Sequence, residues 1–331
     1  MNTSIKLVIE ELNKKGIGTQ IVTLPDGGTL AYFEYNGQQH ALSGTTPDLS
    51  AHTGRIIVND KYIAGLLAER LNIPTPATVV LESNATAASA AVAATAATPA
   101  VVADKFLKEY GTIVVKPLDS AHGNGITTGV CTPKHLKKAV RIAQKFSPMV
   151  LLQQQVSGTD LRVLVIGDQV TAVSERVPAG VVGDGVHSVE KLIEIENQNP
   201  KRGENYEKPL NKIKPEVAMQ YLGRKGLRRV PAKGETVQVV GTANIGSGGY
   251  AINKTGMIPE EIARQAVLFA KSSNMFVCGV DFLFDEAAQK WYFLEANGSP
   301  SFGLHLWPSE GESIDVTSIF VDTLLKAYEA R

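Results

Sequence analysis

The sequence predicts an α+β fold of two or three subdomains, and three observations carry that prediction. A chain of 331 residues can bury more than one core. Its strands arrive in groups, most plainly in MVLLQQQVSGTDLRVLVIGDQVTAVSERVPA, where turns at Ser157-Gly158 and Gly167-Asp168 separate three apolar runs. Amphipathic helices stand between such groups, as over Ser4 to Lys15, Lys134 to Phe146 and Pro259 to Ser273.

Lysine and arginine total 33, as do aspartate and glutamate, so no overall basic field points to nucleic acid or to an anionic membrane. Cys131 and Cys278 lie far apart, outside any CxxC or Cys/His spacing, which argues against structural zinc and for a reducing compartment. The N-terminal segment lacks the apolar core and cleavage site of a signal peptide, and no apolar run reaches membrane-spanning length. The expected location is the cytoplasm.

In chain order, the helix from Ser4 to Lys15 precedes three short strands, IGTQIVTL, TLAYFEYNG and QQHALSG, joined by turns at Asp26-Gly27-Gly28 and Asn36-Gly37. Residues 1–58 therefore read as a small α/β leading domain. Nothing in it demands chemistry, and docking of a substrate against it is the weaker alternative. Asn59-Asp60 caps a helix from Lys61 to Leu71, which ends at Asn72-Ile73-Pro74-Thr75-Pro76 before the strand ATVVL. Between Ser83 and Ala103 the composition turns to alanine and threonine, predicting an alanine-rich helix and a connector.

From Gly111 the strand GTIVVKP delivers Lys116, Pro117 stops it, and DSAHGNGITTG leads into the strand TGVC. Glycines there allow backbone amides to turn toward phosphate oxygens while Lys116 adds positive charge from a rigid strand. The loop is not a Walker A, because no GK[ST] opens a following helix. An ordinary hairpin turn accounts for it equally well, with His122 as a loop hydrogen bonder. These elements make residues 59–150 a second subdomain, and 151–331 a third.

In the three-strand group, Gln153 and the backbone after it can offer an adenine both a donor and an acceptor. Asp160 can accept from ribose hydroxyls, and Arg162 and Arg176 project from neighbouring strands as candidate anion binders. Residues 181–234 hold one helix, Ser188 to Asn197, among many lysines, arginines and glycines. That stretch reads as a surface excursion, or alternatively as a lid or acceptor wall in which Lys212 and Lys214 take part. TVQVVGTANIGSGGYAIN adds a strand and a Gly-Ser-Gly-Gly loop.

The last strands are Val277 to Phe284 and Trp291 to Ala296, separated by DEAAQK. Pairing Phe284 with Trp291 sets Asp281 opposite Leu294, and a shift of one residue sets it opposite Glu295, so the carboxylates are close in either register. Alternation puts Glu295 and Asn297 on one face. Carboxylates buried together repel unless a cation intervenes, and oxygen-only donors favour Mg²⁺ or Mn²⁺. The competing reading has Asp281 and Asn297 merely ending strands.

Three separated blocks, VVKPLDSAHGNG, QQQVSGTDLRVLVIGD and GVDFLF with FLEANGSP, together resemble the ATP-grasp superfamily. SERVPAGVVGDGVHSVEKLIEIENQNPKRG and the tail HLWPSEG look most like the ligase domain of cyanophycin synthetases, with bifunctional glutathione synthetases next. The resemblance covers Asn59 to the C-terminus. It implies an ATP-grasp fold with ATP between two α+β subdomains, its phosphates on Lys61 and Lys116 under the loop Asp119 to Gly125, including His122, Gly123 and Gly125. Gln153 and Gln155 would face the adenine, Asp160 the ribose, and Asp281, Glu295 and Asn297 two Mg²⁺ or Mn²⁺ ions bridging the phosphates. Arg162, Arg176 and Asn244 would hold the anionic substrate or acyl phosphate.

The implied reaction joins a carboxylate to an amine through an acyl phosphate, releasing ADP and phosphate, so the lack of a Ser/His/Asp or Cys/His constellation fits it. Two departures stand out. Gln153 occupies a position where family members often have Glu, and the arginine usual near Val240 and Gly241 is missing, which leaves Asn244 and its turn more to do. The second halves of both named enzymes are also missing, so the expectation is a stand-alone ligase for amino acids or short peptides, with homo-oligomerisation left open. Its alternatives are a glutathione-synthetase-like enzyme adding glycine to a γ-glutamyl peptide, and an ATP-binding regulatory module without turnover.

Overall fold

The computed structural model of the protein describes residues 3–25, 27–82, 98–118, 125–204, 208 and 210–331. The chain opens with α1 (Thr3–Lys14), whose buried Ile5, Val8, Ile9 and Leu12 recur at helical spacing. Strands β1 (Thr19–Thr23), β2 (Thr29–Tyr35), β3 (Gln38–Ser43) and β4 (Thr46–Pro47) form an antiparallel sheet in sequence order. Helix α2 (His52–Asn59) buries only Gly54 and Val58, too little apolar pattern to be foreseen. Helix α3 (Lys61–Arg70) starts where expected, because Asp60 accepts from the Tyr62 and Ile63 N–H groups at 2.9 Å each.

Next come β5 (Thr78–Glu82), α4 (Pro99–Tyr110), β6 (Ile113–Pro117), β7 (Thr127–Val130), α5 (Pro133–Ala143) and β8 (Met149–Gln154). The alanine-rich helix expected after Ser83 falls mostly outside the described residues. The three-strand group continues with β9 (Thr159–Ile166) and β10 (Gln169–Val177), and the following stretch holds β11 (Gly180–Val182), α6 (Val189–Glu196), β12 (Arg202–Gly203), β13 (Leu210–Asn211) and α7 (Pro215–Leu227). Two strands, β14 (Thr236–Gln238) and β15 (Tyr250–Asn253), replace the single strand expected there, with a 3-10 turn at Ile245–Ser247 between them. The chain ends with α8 (Glu260–Ser272), β16 (Val277–Asp285), β17 (Lys290–Asn297), α9 (Gly303–Leu306) and α10 (Val316–Glu329).

Two compact units result, one of Met1–Asn59, Thr159–Phe282 and Glu295–Arg331, the other of Asp60–Gly158 and Leu283–Leu294. In the smaller, β5, β8, β6 and β7 form an antiparallel sheet in that order. Phe106 and Leu107 of α4 and Leu136 and Ala139 of α5 pack on its Ile113, Val115, Val150 and Leu152 side. By alternation, Lys116 and Gln153 belong to the opposite face.

The larger unit is built on the sheet β15-β10-β9-β16-β17. Its main core joins Ile5 and Leu12 of α1 and Phe33 of β2 to Leu164, Phe302, Phe320 and Leu324. Near the end of α10, the Tyr328 hydroxyl donates to Asp48 and its ring stacks on His40 at 3.6 Å. Residues 181–234 are more than a surface excursion, and here the structure corrects the expectation. Val181, Val189, Leu192, Ile193, Ile213 and Leu227 bury one another in a separate core. The apolar residues responsible are dispersed over short elements, so their abundant charged neighbours mask the pattern.

Candidate active site

In the smaller unit the polar face of the sheet gathers two of the predicted residues. Gln153 lies opposite Thr78 on one side and Val114 on the other. Its side chain bridges three strands, accepting from Lys116 Nζ at 2.9 Å and donating to Thr78 Oγ1 at 2.9 Å. Lys116 is only 8 % exposed, so its cation is fixed in place by the strand rather than swinging in water. Gln155 turns elsewhere and accepts from the Gly129 N–H at 2.6 Å, which holds β7. Lys61 begins α3 and is half-buried. His122 and Gly123 lie outside the described residues. Gly125 has φ 75°, and a Cβ there would meet the Phe146 ring at 2.6 Å, so only glycine suits this end of the loop.

The larger unit concentrates charge on one face of its sheet. In the β9–β10 register Arg176 faces Asp160 and Ser174 faces Arg162, while β16 brings Asp281 to the other side of β9. Asp281 is 0 % exposed. Its Oδ2 receives Nη2 of Arg162 at 2.9 Å and Nη2 of Arg176 at 2.8 Å, and its Oδ1 receives Arg162 Nε. Arg176 also donates to Asp160 Oδ1 from Nε at 2.8 Å and from Nη2 at 2.7 Å. A Cβ at Gly279 would lie 3.0 Å from Arg162 Cδ, so this glycine clears the path by which the arginine reaches Asp281.

Two arginines and two aspartates thus neutralise one another. Burial alone would raise the Asp281 pKa, but the Arg162 and Arg176 charges outweigh it and hold the carboxyl below the ordinary range. Asp160 moves the other way, since burial and the Asp281 charge exceed the pull of the arginines. Burial works against the Arg176 cation, yet Asp160, Asp281 and Glu295 more than offset it.

His305, which local sequence does not single out, closes the row. It is 2 % exposed and its Nδ1 lies 2.8 Å from Ser174 Oγ, while Nε2 finds no partner among the described residues. Burial, followed by the Arg162 charge, pushes its pKa down to about 3. The folded value lies below the unfolded 6.5, so the unfolded chain binds the extra proton between those limits, and the His305 contribution is lost as pH falls through that window. We expect His305→Gln to flatten the acid limb of stability by roughly 1–3 kcal/mol near pH 4.5. Urea unfolding of both proteins at pH 7 and pH 4.5 checks this, and parallel curves would exclude it.

Asn244 caps the 3-10 turn, its Oδ1 accepting from Gly246 N at 2.8 Å. The arginine brought to that turn is Arg202, also unforeseen. It is 5 % exposed and donates from Nη1 to the carbonyls of Asn211 at 2.7 Å and Gly248 at 2.9 Å, and from Nε to Glu196 at 2.8 Å. Arg202 therefore supports the turn from behind.

The hairpin residues offer hard oxygen donors, but not a preformed metal cage. Asp281 already accepts from two guanidinium groups, and Asn297 Oδ1 accepts from Ser299 N at 2.9 Å. Among the described residues no three or more His, Cys, Asp or Glu side chains converge on a metal-sized space. As arranged, the three residues form no cage by themselves, and an ion arriving with a nucleotide would meet Glu295 and Asn297 rather than Asp281.

No protein-family model matches the sequence. A glutathione biosynthesis bifunctional protein from Pasteurella multocida is 29 % identical over 343 residues, spanning 99 % of this chain and 43 % of that protein. A cyanophycin synthetase from Crocosphaera subtropica is 36 % identical over 222 residues, 64 % of this chain and 26 % of that protein. The crystal structure of the Pasteurella multocida bifunctional glutathione synthetase matches 99 % of this chain and 44 % of that one, with TM-score 0.65 and 27 % identity. The chain has the ATP-grasp fold. A D-alanyl-alanine synthetase A from Vibrio cholerae shares the ATP-grasp fold at TM-score 0.53 and 13 % identity, over 99 % of this chain and 92 % of that one. ATP-grasp ligases use ATP with Mg²⁺ or Mn²⁺. The chain spans less than half the length of the curated relatives named above. Among the described residues no helix is long and apolar enough to cross a membrane.

Proposed function

We propose that the protein is an ATP-dependent ligase that joins the carboxylate of one amino acid or short peptide to the amine of another. The observation that carries this reading is the likeness, over 99 % of the chain, to a glutathione biosynthesis protein and to the crystal structure of a bifunctional glutathione synthetase. A carboxylate is a poor acylating agent. Its oxygen attacks the γ-phosphorus of ATP, ADP leaves, and the acyl phosphate so formed is attacked at carbon by an unprotonated amine, which expels phosphate. Such a route needs no side-chain nucleophile, only charge and position.

The reading gives Lys61 and Lys116 to the phosphates, with Gly125 and the rest of its loop. Gln153, Gln155 and Asp160 go to the nucleoside. Gln153 accepts from Lys116 and, being an amide, adds no negative charge of its own beside the ammonium. Arg162, Arg176 and Asn244 go to the substrate anion, which the two arginines can meet only by loosening their hold on Asp281 and Asp160. Glu295 and Asn297 are assigned to the metal that accompanies the nucleotide, and Asp281 can join them only by giving up its arginines. Free Cys131, which is exposed, and free Cys278 support a reducing cytoplasmic setting.

The test is a matrix of carboxylate donors and amine acceptors incubated with ATP and Mg²⁺, read as ADP release and amide product. A γ-glutamyl dipeptide with glycine forms one arm, because the relatives include glutathione biosynthesis proteins. Binding of ATP without turnover on any pair would leave a regulatory module instead. Lys116→Ala is expected to weaken ATP binding by roughly 10- to 100-fold, as loss of a charge-assisted contact implies. Unchanged affinity by calorimetry would remove Lys116 from the phosphates.

A further inference from the structure

The segment from Gly298 to Phe302, which joins β17 to α9, has no regular structure and yet buries Gly298, Pro300 and Phe302 at alternate positions. Backbone polar groups buried outside a helix or sheet need partners from elsewhere, and here the leading domain supplies them. Thr46 Oγ1 donates to the Gly298 carbonyl at 2.7 Å, and Thr45 Oγ1 donates to the Pro300 carbonyl at 3.2 Å. The Phe302 N–H donates to Ser4 Oγ at 3.0 Å. Ser4, Thr45 and Thr46 are themselves 2 %, 2 % and 6 % exposed, so these bonds are made away from bulk water.

Proton bookkeeping fixes the direction of the remaining bonds. A carbonyl only accepts, so the hydroxyl proton of Thr45 is committed to Pro300, and Thr45 Oγ1 accepts from Ser299 Oγ, 3.2 Å away. Ser299 Oγ in turn accepts from the Thr45 N–H at 3.1 Å, which closes a reciprocal pair. Gly44, with φ 61°, permits this approach, because a Cβ there would sit 2.6 Å from Ser299 Oγ. The Ser299 N–H meets Asn297 Oδ1 at 2.9 Å, so the residue that Thr45 grips also orients the Asn297 side chain. That turn uses one lone pair of the amide oxygen, and the oxygen carries a second with which to meet a cation. At the far end Phe302 caps α9, which carries His305 to Ser174 beside Arg162.

We propose that Ser4, Thr45 and Thr46 are positioning residues, a hydroxyl clamp by which the leading domain aims Asn297 at the metal that accompanies the nucleotide. The inference rests on the ligase reading and on its assignment of Asn297. It gives residues 1–58 a part in the reaction through the loop they hold, not through contact with the reacting atoms.

Thr45→Val and Thr46→Val each remove a hydroxyl at nearly constant volume. Each should raise the Kd for Mn²⁺, titrated by calorimetry in the presence of a non-hydrolysable ATP analogue, by roughly tenfold or more, and lower kcat on a similar scale, as loss of a group that orients a metal ligand implies. Thr46→Ser keeps the hydroxyl and should retain the wild-type Kd. Ser299→Ala breaks the reciprocal pair from the loop side and should match the valine variants, which decides the matter if either of those fails to fold. Tyr328→Phe, which takes the hydroxyl from Asp48 elsewhere in the leading domain, should lower the urea midpoint without moving the Mn²⁺ Kd. Valine and alanine variants that bind Mn²⁺ as the wild type does, or a Tyr328→Phe protein that loses as much affinity as they do, would overturn the positioning role. A wild-type protein that binds no Mn²⁺ with the analogue would overturn it together with the metal assignment. Normal Mn²⁺ binding without turnover on any substrate pair would overturn the ligase reading alone, and the Mn²⁺ titrations would still decide the clamp.

Discussion

Asp281→Asn is expected to lower the unfolding free energy by about 3–5 kcal/mol, the range for breaking a buried ion pair from one side. The loss follows from what remains. Asp160 still accompanies Arg176, but Arg162, 7 % exposed, keeps its charge after its carboxylate partner is gone. Urea denaturation of the variant measures the loss directly. Pairing it with Arg162→Met should recover much of the stability, because the second substitution removes the stranded cation. A single-variant loss below about 0.5 kcal/mol, the ordinary scale of a surface substitution, would show that the network is not held as described.

Glu295→Gln should behave in the opposite way, although it lies in the same hairpin. Glu295 is half-buried, makes no salt bridge among the described residues, and acts on Arg176 through its charge. The neutral isostere should therefore melt within about 0.5 kcal/mol of wild type. On the proposed assignment of Glu295 to the nucleotide's metal, turnover should fall by at least roughly a hundredfold, because an amide cannot replace a charge that balances a metal ion. Mn²⁺ titration in the presence of a non-hydrolysable ATP analogue gives a second readout, with weaker binding expected in Glu295→Gln. Normal turnover with normal Mn²⁺ affinity would remove Glu295 from the assignment.

Local chemistry was readable wherever neighbours in sequence are neighbours in space. The Asp60 cap and the start of α3, the turns that separate β8, β9 and β10, and the hairpin of β16 and β17 all follow from residues within a few positions of one another. The Phe284 and Trp291 rings lie 4.7 Å apart, in keeping with the pairing that alternation suggests. The core of residues 181–234 was not readable, because Val181, Leu192, Ile213 and Leu227 each come from a different short segment. His305 and Arg202 escaped for a related reason. Each is a single polar residue in a loop or short element, and only burial beside Ser174 or Gly248 makes it consequential.

The sequence by itself determined the α+β class, the resemblance to ATP-grasp ligases and the placement of Asp281, Glu295 and Asn297 on one hairpin. From that hairpin the expectation was a divalent metal on Asp281. Only the tertiary structure brought guanidinium groups to it instead. Arg162 is 119 residues from Asp281 in sequence, and the sheet order that sets β9 between β10 and β16 brings two guanidinium groups to one carboxylate. Periodicity specifies which face a side chain occupies, but the identity of its partner depends on which strands lie side by side and in what register, and that is settled by the packing of the whole unit.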